Sequence, residues 1–372
     1  MIRERISRST GPIETVVLSG GAPQSPLMAG FLYALLKRGK MFRVFHTSGA
    51  GALMALLTIA PRDATPEEAL LRWSTVGVAD MIYRWLPVNF KLFSKPGPWA
   101  PIFRRWAQYY KFPDRPGEQE SAAELRLRLY NDLVDLWFSA LTPSTLTYWS
   151  KGLAAPFPFL EEVVDFRKFR GNLQARTFKG QLFVNAYCIN TNSMEIFGND
   201  KIDAPHVRAA LSLPFIYPPG EVDNKQYLEG AALEPLNFQG LTQNLRAQAA
   251  SADPPAVVLL DVMGRKPEWV IRVPRDLWDA YIISVVAPIV ALAKKELLLF
   301  KSRHNEREQN QNRWLIDLME IDFELDPAQA KTVLEWSYSN LRDLFTVGRQ
   351  QGDVFLNTYR DRVPDRAATI GI

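Results

Sequence analysis

Few side chains in this sequence combine a reactive group with a setting that could activate it. Ser48 is the first. It lies in His46-Thr47-Ser48-Gly49-Ala50-Gly51, after a short apolar run (Phe42, Val44, Phe45) and before a helix-forming stretch, Ala52 to Leu57. Strand, sharp turn and helix is the geometry that lifts a serine hydroxyl to the carboxyl end of a sheet as a nucleophile. The plain alternative is a βα turn with a serine helix cap. A second turn of the same kind follows Glu14 to Leu18, at Ser19-Gly20-Gly21-Ala22. Paired glycines let backbone N–H groups turn outward. Those of Gly20, Gly21 and Ala22, with that of Gly49, could form an oxyanion hole. A phosphate loop is disfavoured, because no G-x-x-x-x-G-K-[ST] follows.

A serine hydroxyl needs a base within hydrogen-bond reach. Glu229 closes a short strand just before Gly230, so a carboxylate sits at a strand end. The expected pair is therefore Ser48 as nucleophile and Glu229 as base, and the chemistry is acyl transfer from an ester. Glutamate has about 1.5 Å more reach than aspartate, which would suit a serine set back by a similar distance. A Ser–His–acid triad is the rival, but His46, His206 and His304 read as packing or surface residues. Asp223 reads as a turn residue, Asp261 as a cap and Arg208 as a structural or loop-orienting residue. Cys188 stands alone, so no intramolecular disulfide is possible. No His, Cys or acidic cluster has metal-ligand spacing, and neither a metal nor another cofactor is expected.

The elements that must position these groups follow from the pattern. Two βα units in succession imply parallel strands with right-handed crossovers. Both loops then open at the carboxyl end of the sheet, where open α/β folds place their sites. Further on, Leu182–Ile189 and Met194–Phe197 read as a hairpin, Pro205–Leu213 as a helix and Ala256–Val262 as a buried strand. Trp278–Arg303 is a long helical pattern interrupted by Pro288, Leu315–Leu325 holds a last strand, and a helix starts at Asp326-Pro327.

Composition bounds the rest. The chain has 372 residues, 47% hydrophobic and 23% charged, with a formal net charge of +4. That favours an anionic surface but not a nucleic-acid partner. The first residues carry charges and no apolar core, so no signal peptide is read there. The apolar run Ala280–Ala293 is too short to span a bilayer. The expected location is cytoplasmic, with peripheral contact to a membrane.

Residues 76–170 interrupt the α/β pattern. Between Tyr83 and Phe112, aromatic residues alternate with Arg and Lys, and no acidic residue occurs. A small core with snorkelling cations is one reading, a lipid-facing cap another, and a single-stranded nucleic-acid surface the least favoured. Trp85, Phe93, Trp99, Arg104, Arg105 and Trp106 are the expected substrate- or membrane-facing residues.

Four stretches, taken together and in order, resemble the patatin-like phospholipases, lipid acyl hydrolases that use a Ser–Asp dyad. Leu18-Ser19-Gly20-Gly21 with Gly30 is similar to their oxyanion loop, G-G-G-x-[RK]-G. Thr47-Ser48-Gly49-Ala50-Gly51-Ala52-Leu53 resembles their G-T-S-A-G-A-L elbow. Val207 to Pro219 resembles their A-x-R-A-S-x-A-x-P-x-x-F-P-P segment, and Glu229-Gly230-Ala231 stands where they carry D-G-[GA]. The resemblance implies a three-layer α/β/α fold with a mainly parallel central sheet and a helical, aromatic-rich insertion. It implies one domain over 1–372, a cap at 76–170 and a mostly helical extension at 264–372. Three departures stand out. Ala22, Gln24 and Ser25 replace loop residues, Glu229 replaces the aspartate, and without a gap the family's serine falls on Gly49. Two functions follow. One is a lipase- or phospholipase-like hydrolase acting through Ser48 and Glu229 on a lipid or fatty-acyl ester at an anionic membrane. The other is a catalytically impaired relative that binds a lipid or a partner.

Overall fold

A computed structural model describes residues 9–99, 101–102, 121–247, 255–263, 271–275, 277–306 and 316–369. Its centre is a mixed sheet with strand order β5-β6-β3-β2-β1-β7-β8, and β4 pairs with β3. The strands are β1 (Thr15–Leu18), β2 (Val44–Thr47), β3 (Gln181–Cys188), β4 (Ser193–Phe197), β5 (Gly220–Val222), β6 (Lys225–Glu229), β7 (Ala256–Leu260) and β8 (Asp317–Glu320). The β3-β2-β1-β7-β8 run is parallel, while β4, β5 and β6 are joined antiparallel. β1 and β7 are buried along their whole length, as expected of central parallel strands covered on both faces. This is the α/β architecture expected from the sequence.

Register explains where the loops meet. Leu18 is paired with both Thr47 and Leu260, so β1, β2 and β7 end together. The loops that follow them, from Ser19, Ser48 and Asp261, therefore leave the sheet side by side. β3 is longer than its neighbours. Val184 pairs with Thr47 of β2 on one edge and Phe197 of β4 on the other. Two residues on, Ala186 pairs with Glu195 of β4 and Glu229 of β6. β6 thus takes up the edge of β3 that β2 vacates and runs back towards the end of β2. A two-residue turn at Asp223-Asn224, both at positive φ, closes the β5–β6 hairpin, the geometry of a type I′ turn. Asp223 is a turn residue, as read.

Helix α1 (Ser25–Lys37) follows the first loop and α2 (Ala50–Ile59) the second. Every residue of α1 from Ser25 to Leu36 is buried. It lies against the helix Tyr338–Tyr359, and the two backbones nearly touch. A Cβ on Gly30 would stand 2.0 Å from the Phe345 carbonyl oxygen, and one on Gly348 2.0 Å from that of Leu27. Gly30 therefore serves helix packing. The helix read from Asp326-Pro327 starts there, with Asp326 and Gln329 forming a capping box, but it ends at Thr332, and Ser337 begins the longer one. Residues after 264, read as a helical extension, contribute β8 to the sheet and this helix to the core.

Residues 76–170, the stretch read as a cap, hold both buried and exposed aromatic residues. Ile82, Tyr83 and Phe90 form a small buried cluster. Phe93 packs on Tyr217 and Trp336 and is not a free surface residue. Trp85 and Trp99 are 86% and 51% exposed. The helix Ala122–Leu141, capped by Ser121 and Glu124, leaves Tyr130, Leu133, Trp137 and Leu141 exposed. Those spacings put them on one face. The helix is anchored by Asp132, which pairs with Lys91 at 2.8 Å and accepts the Ala79 N–H at 2.7 Å. Arg104, Arg105 and Trp106 lie outside the described residues. No helix among the described residues is long and apolar enough to cross a membrane.

Candidate active site

The elbow turns on Gly49, not on Ser48. Gly49 has φ 48° and ψ −127°, a conformation that side-chain-bearing residues adopt only under strain. Ser48 is fully buried. Its N–H donates to the Leu18 carbonyl at 3.1 Å and its hydroxyl to the Glu234 carbonyl at 2.9 Å. Gly51 sits where a Cβ would lie 2.5 Å from the Leu18 carbonyl oxygen, so it lets α2 approach β1.

Glu229 does reach this elbow from the end of β6. Its Oε1 lies 2.1 Å from where a Cβ on Gly49 would stand, with the Ala231 Cβ at 3.0 Å from the same point. The carboxyl therefore fills the space that a side chain at position 49 would need. Among the described residues it has no hydrogen-bond partner. The expected Ser48–Glu229 hydrogen bond is absent, because the serine hydroxyl is taken up by the Glu234 carbonyl. Burial without a compensating donor pushes the Glu229 carboxyl up to about 8. At neutral pH it holds its proton and can donate a hydrogen bond.

This has a stability consequence with a definite sign. Unfolded, the carboxyl loses its proton near its ordinary value of about 4.3, whereas the folded chain keeps it to about 8. Stability is greatest below the ordinary value. It then falls by about 1.4 kcal/mol per pH unit for one such group until the folded value is reached. Glu229→Gln removes this share. In urea denaturation the variant should gain on the wild type as pH rises from about 5 to about 8, and level off above. A constant difference across that range would show that the carboxyl is not held neutral. Glu296, raised by burial to about 7, supplies a similar slope that the variant retains.

The glycine loop after β1 departs from the expectation at Gly20. The Gly20 N–H donates to the Pro235 carbonyl at 3.0 Å and is not free for a ligand, which corrects its assignment. Gly20 is still needed, since a Cβ there would lie 2.4 Å from that of Ala231. The N–H groups of Gly21, Ala22 and Gly49 have no acceptor among the described residues. Ser25 fixes the loop by donating to the Ala22 carbonyl at 2.6 Å while accepting from Trp73 Nε1 at 2.8 Å. Gln24 is buried, and among the described residues neither of its amide atoms has a hydrogen-bond partner.

The segment after Glu229 carries residues that sequence reading missed. The Glu234 carbonyl accepts from Asn185 Nδ2 as well as from Ser48. Asn237 donates to the Thr47 carbonyl at 3.0 Å, tying this segment to the end of β2. Glu296, on the helix Leu277–Phe300, accepts the N–H groups of Leu236 and Phe238. The available signal was an acid in the second half of a largely apolar helix, far from the Asp279 of its first turn. His46 is a core residue, stacked on Phe183 at 4.8 Å and lowered by burial to about 3. His206 packs its edge on Phe197, and the side chain of His304 lies outside the described residues. Asp261 accepts the Met263 N–H in the turn after β7. Arg208 pairs with Glu161 of the cap. Among the described residues no group of His, Cys, Asp and Glu could hold a metal ion.

No curated protein matches the chain. Among solved structures, VipD from Legionella pneumophila aligns with 13% identity over 94% of this chain and 68% of its own, with a TM-score of 0.41. The sequence profile of the patatin-like phospholipases matches residues 16–242. That stretch runs from β1 through both loops, the cap and the β5–β6 hairpin, and the chain belongs to the patatin-like phospholipase family.

Proposed function

We propose that this chain binds an acyl lipid at the patatin-like site without hydrolysing it through a serine. Family membership suggests lipid acyl hydrolysis. The observation that carries the narrower reading is the elbow itself: Gly49 holds the strained turn, and the Glu229 carboxyl occupies the space beside it. Attack by Ser48 would require a buried hydroxyl to leave the Glu234 carbonyl. The free N–H groups of Gly21, Ala22 and Gly49 support retention of a binding site for a polar lipid end. The cap supports delivery from a membrane. Its exposed Trp85, Trp99 and Trp137 suit the headgroup level, and each basic residue near an anionic surface adds about 1 kcal/mol.

A fluorophosphonate probe tests the chemistry. Labelling of the wild type should not exceed that of Ser48→Ala. Strong labelling abolished by Ser48→Ala would restore the Ser48–Glu229 hydrolase. Liposome flotation tests the cap. Binding should favour anionic over neutral vesicles, weaken with salt, and fall when Arg104 and Arg105 become Glu. Binding indifferent to charge and salt would remove the membrane role.

A further inference from the structure

The polar end of the ligand can be specified further. Three backbone N–H groups without an acceptor among the described residues, those of Gly21, Ala22 and Gly49, stand in the two loops that leave β1 and β2 side by side, and the last lies at the N-terminus of the ten-residue helix α2. An anion is favoured there, because N–H groups and the helix dipole both point at it. The second observation is independent of the helix. Glu229 is only 8% exposed, has no partner among the described residues, and presents Oε1 against Gly49. A buried polar group left unpaired is costly, so this carboxyl is poised for a ligand atom.

We infer that the site takes the free carboxylate of a fatty acid: one oxygen accepts the backbone N–H groups and the other accepts a hydrogen bond from the Glu229 carboxyl. Two carboxyl groups then share one proton, an arrangement that adjacent acids favour. This inference rests on the acyl-binding reading and narrows it. An ester fits less well. Its carbonyl oxygen could use the N–H groups, but its alkoxy side would be pressed against Glu229, which already fills the room in front of Gly49. Exposed apolar residues on neighbouring segments, Phe215 and Leu233, offer cover for an acyl chain. The segment of Phe215 is joined to β6 by the Glu229 N–H, which donates to the Ser212 carbonyl at 2.9 Å.

Glu229 must be protonated for this, and burial holds it so below about 8. No charged neighbour adds to that shift. The other carboxyls on surrounding elements are Glu234, directly after the strand, Asp261 after β7, and Glu296 on the helix Leu277–Phe300. Burial pushes Glu234 up as well. Raising the pH should therefore expel an anionic ligand, not strengthen its hold.

Equilibrium binding to the full chain tests this with decanoic acid and methyl decanoate, both below their aggregation limits. The acid stays ionised across the range used. At about pH 6.5 the acid should bind at least about tenfold more tightly than the ester. Its affinity should fall about tenfold or more by about pH 9.5. Glu229→Gln, which keeps a hydrogen-bond donor, should bind the acid at both pH values with that loss abolished. Equal binding of acid and ester by the wild type would overturn the carboxylate assignment and leave the acyl-binding reading standing. Binding of neither would overturn both. An affinity for the acid that does not fall with pH would remove Glu229 from the site.

Discussion

Gly49→Ser combined with Glu229→Asp is expected to give a serine hydrolase. The double variant should react with a fluorophosphonate and cleave a short activated ester on the order of a hundredfold faster than the wild type. The obstacle is steric before it is chemical. A serine at position 49 would place its Cβ 2.1 Å from the Glu229 Oε1, so Gly49→Ser alone should fold poorly or stay unreactive. Shortening the acid by one methylene clears that space and leaves a carboxylate within reach of the new hydroxyl. The turn already has the elbow dihedrals, and holding a serine there costs on the order of 1–3 kcal/mol. The Gly21 and Ala22 N–H groups remain for the oxyanion. Ser48→Ala in the double variant should leave the rate unchanged. A double variant with native circular dichroism and no reactivity would trace the lost chemistry to the altered oxyanion loop instead.

Lys91→Met should cost about 3–5 kcal/mol in urea denaturation, because it leaves a buried charge without its counter-ion. Lys91 and Asp132 are both nearly inaccessible and 2.8 Å apart. Lys91 also donates to the Gly77 carbonyl, so one ammonium holds the start of the cap to its long helix. Burial draws Lys91 downward while Asp132 opposes it. Replacing both, as Lys91→Met with Asp132→Leu, should recover part of the loss but not all of it, since the Ala79 N–H would then lack an acceptor. Limited proteolysis should show earlier cleavage in Ala122–Leu141 for the single variant. A loss below about 1 kcal/mol would mean that the pair is exchanged with water.

The α/β order was legible because its signals are local. Apolar runs that stop at glycines mark β1, β2 and β7, and the Asp326-Pro327 pair marks a helix start. The site was only half legible for the opposite reason. Whether Ser48 or its neighbour occupies the turn depends on a one-residue register, and a shift of one reverses the direction of every side chain. Thr47-Ser48-Gly49 contains a serine, and nothing in its immediate neighbours reveals that the hydroxyl is claimed by Glu234, 186 residues away. Glu229 was read as the partner of Ser48, whereas its carboxyl lies against Gly49. Glu296 and Asn237 went unread because their roles are long-range hydrogen bonds to backbone.

The position of β7 bears on how this protein can be cut. The stretch that carries the family resemblance ends at residue 242, yet β1 is flanked on one side by β2 and on the other by β7, which begins at Ala256. A fragment ending at 242 would keep both loops and the elbow but strip one whole edge of its central strand. It would also lose the helix that lies on Gly30. Such a bare, apolar parallel edge is a template for pairing with another chain. Expressed alone, that fragment should precipitate or form strand-exchanged assemblies, so a usable excision has to carry residues through the helix Tyr338–Tyr359.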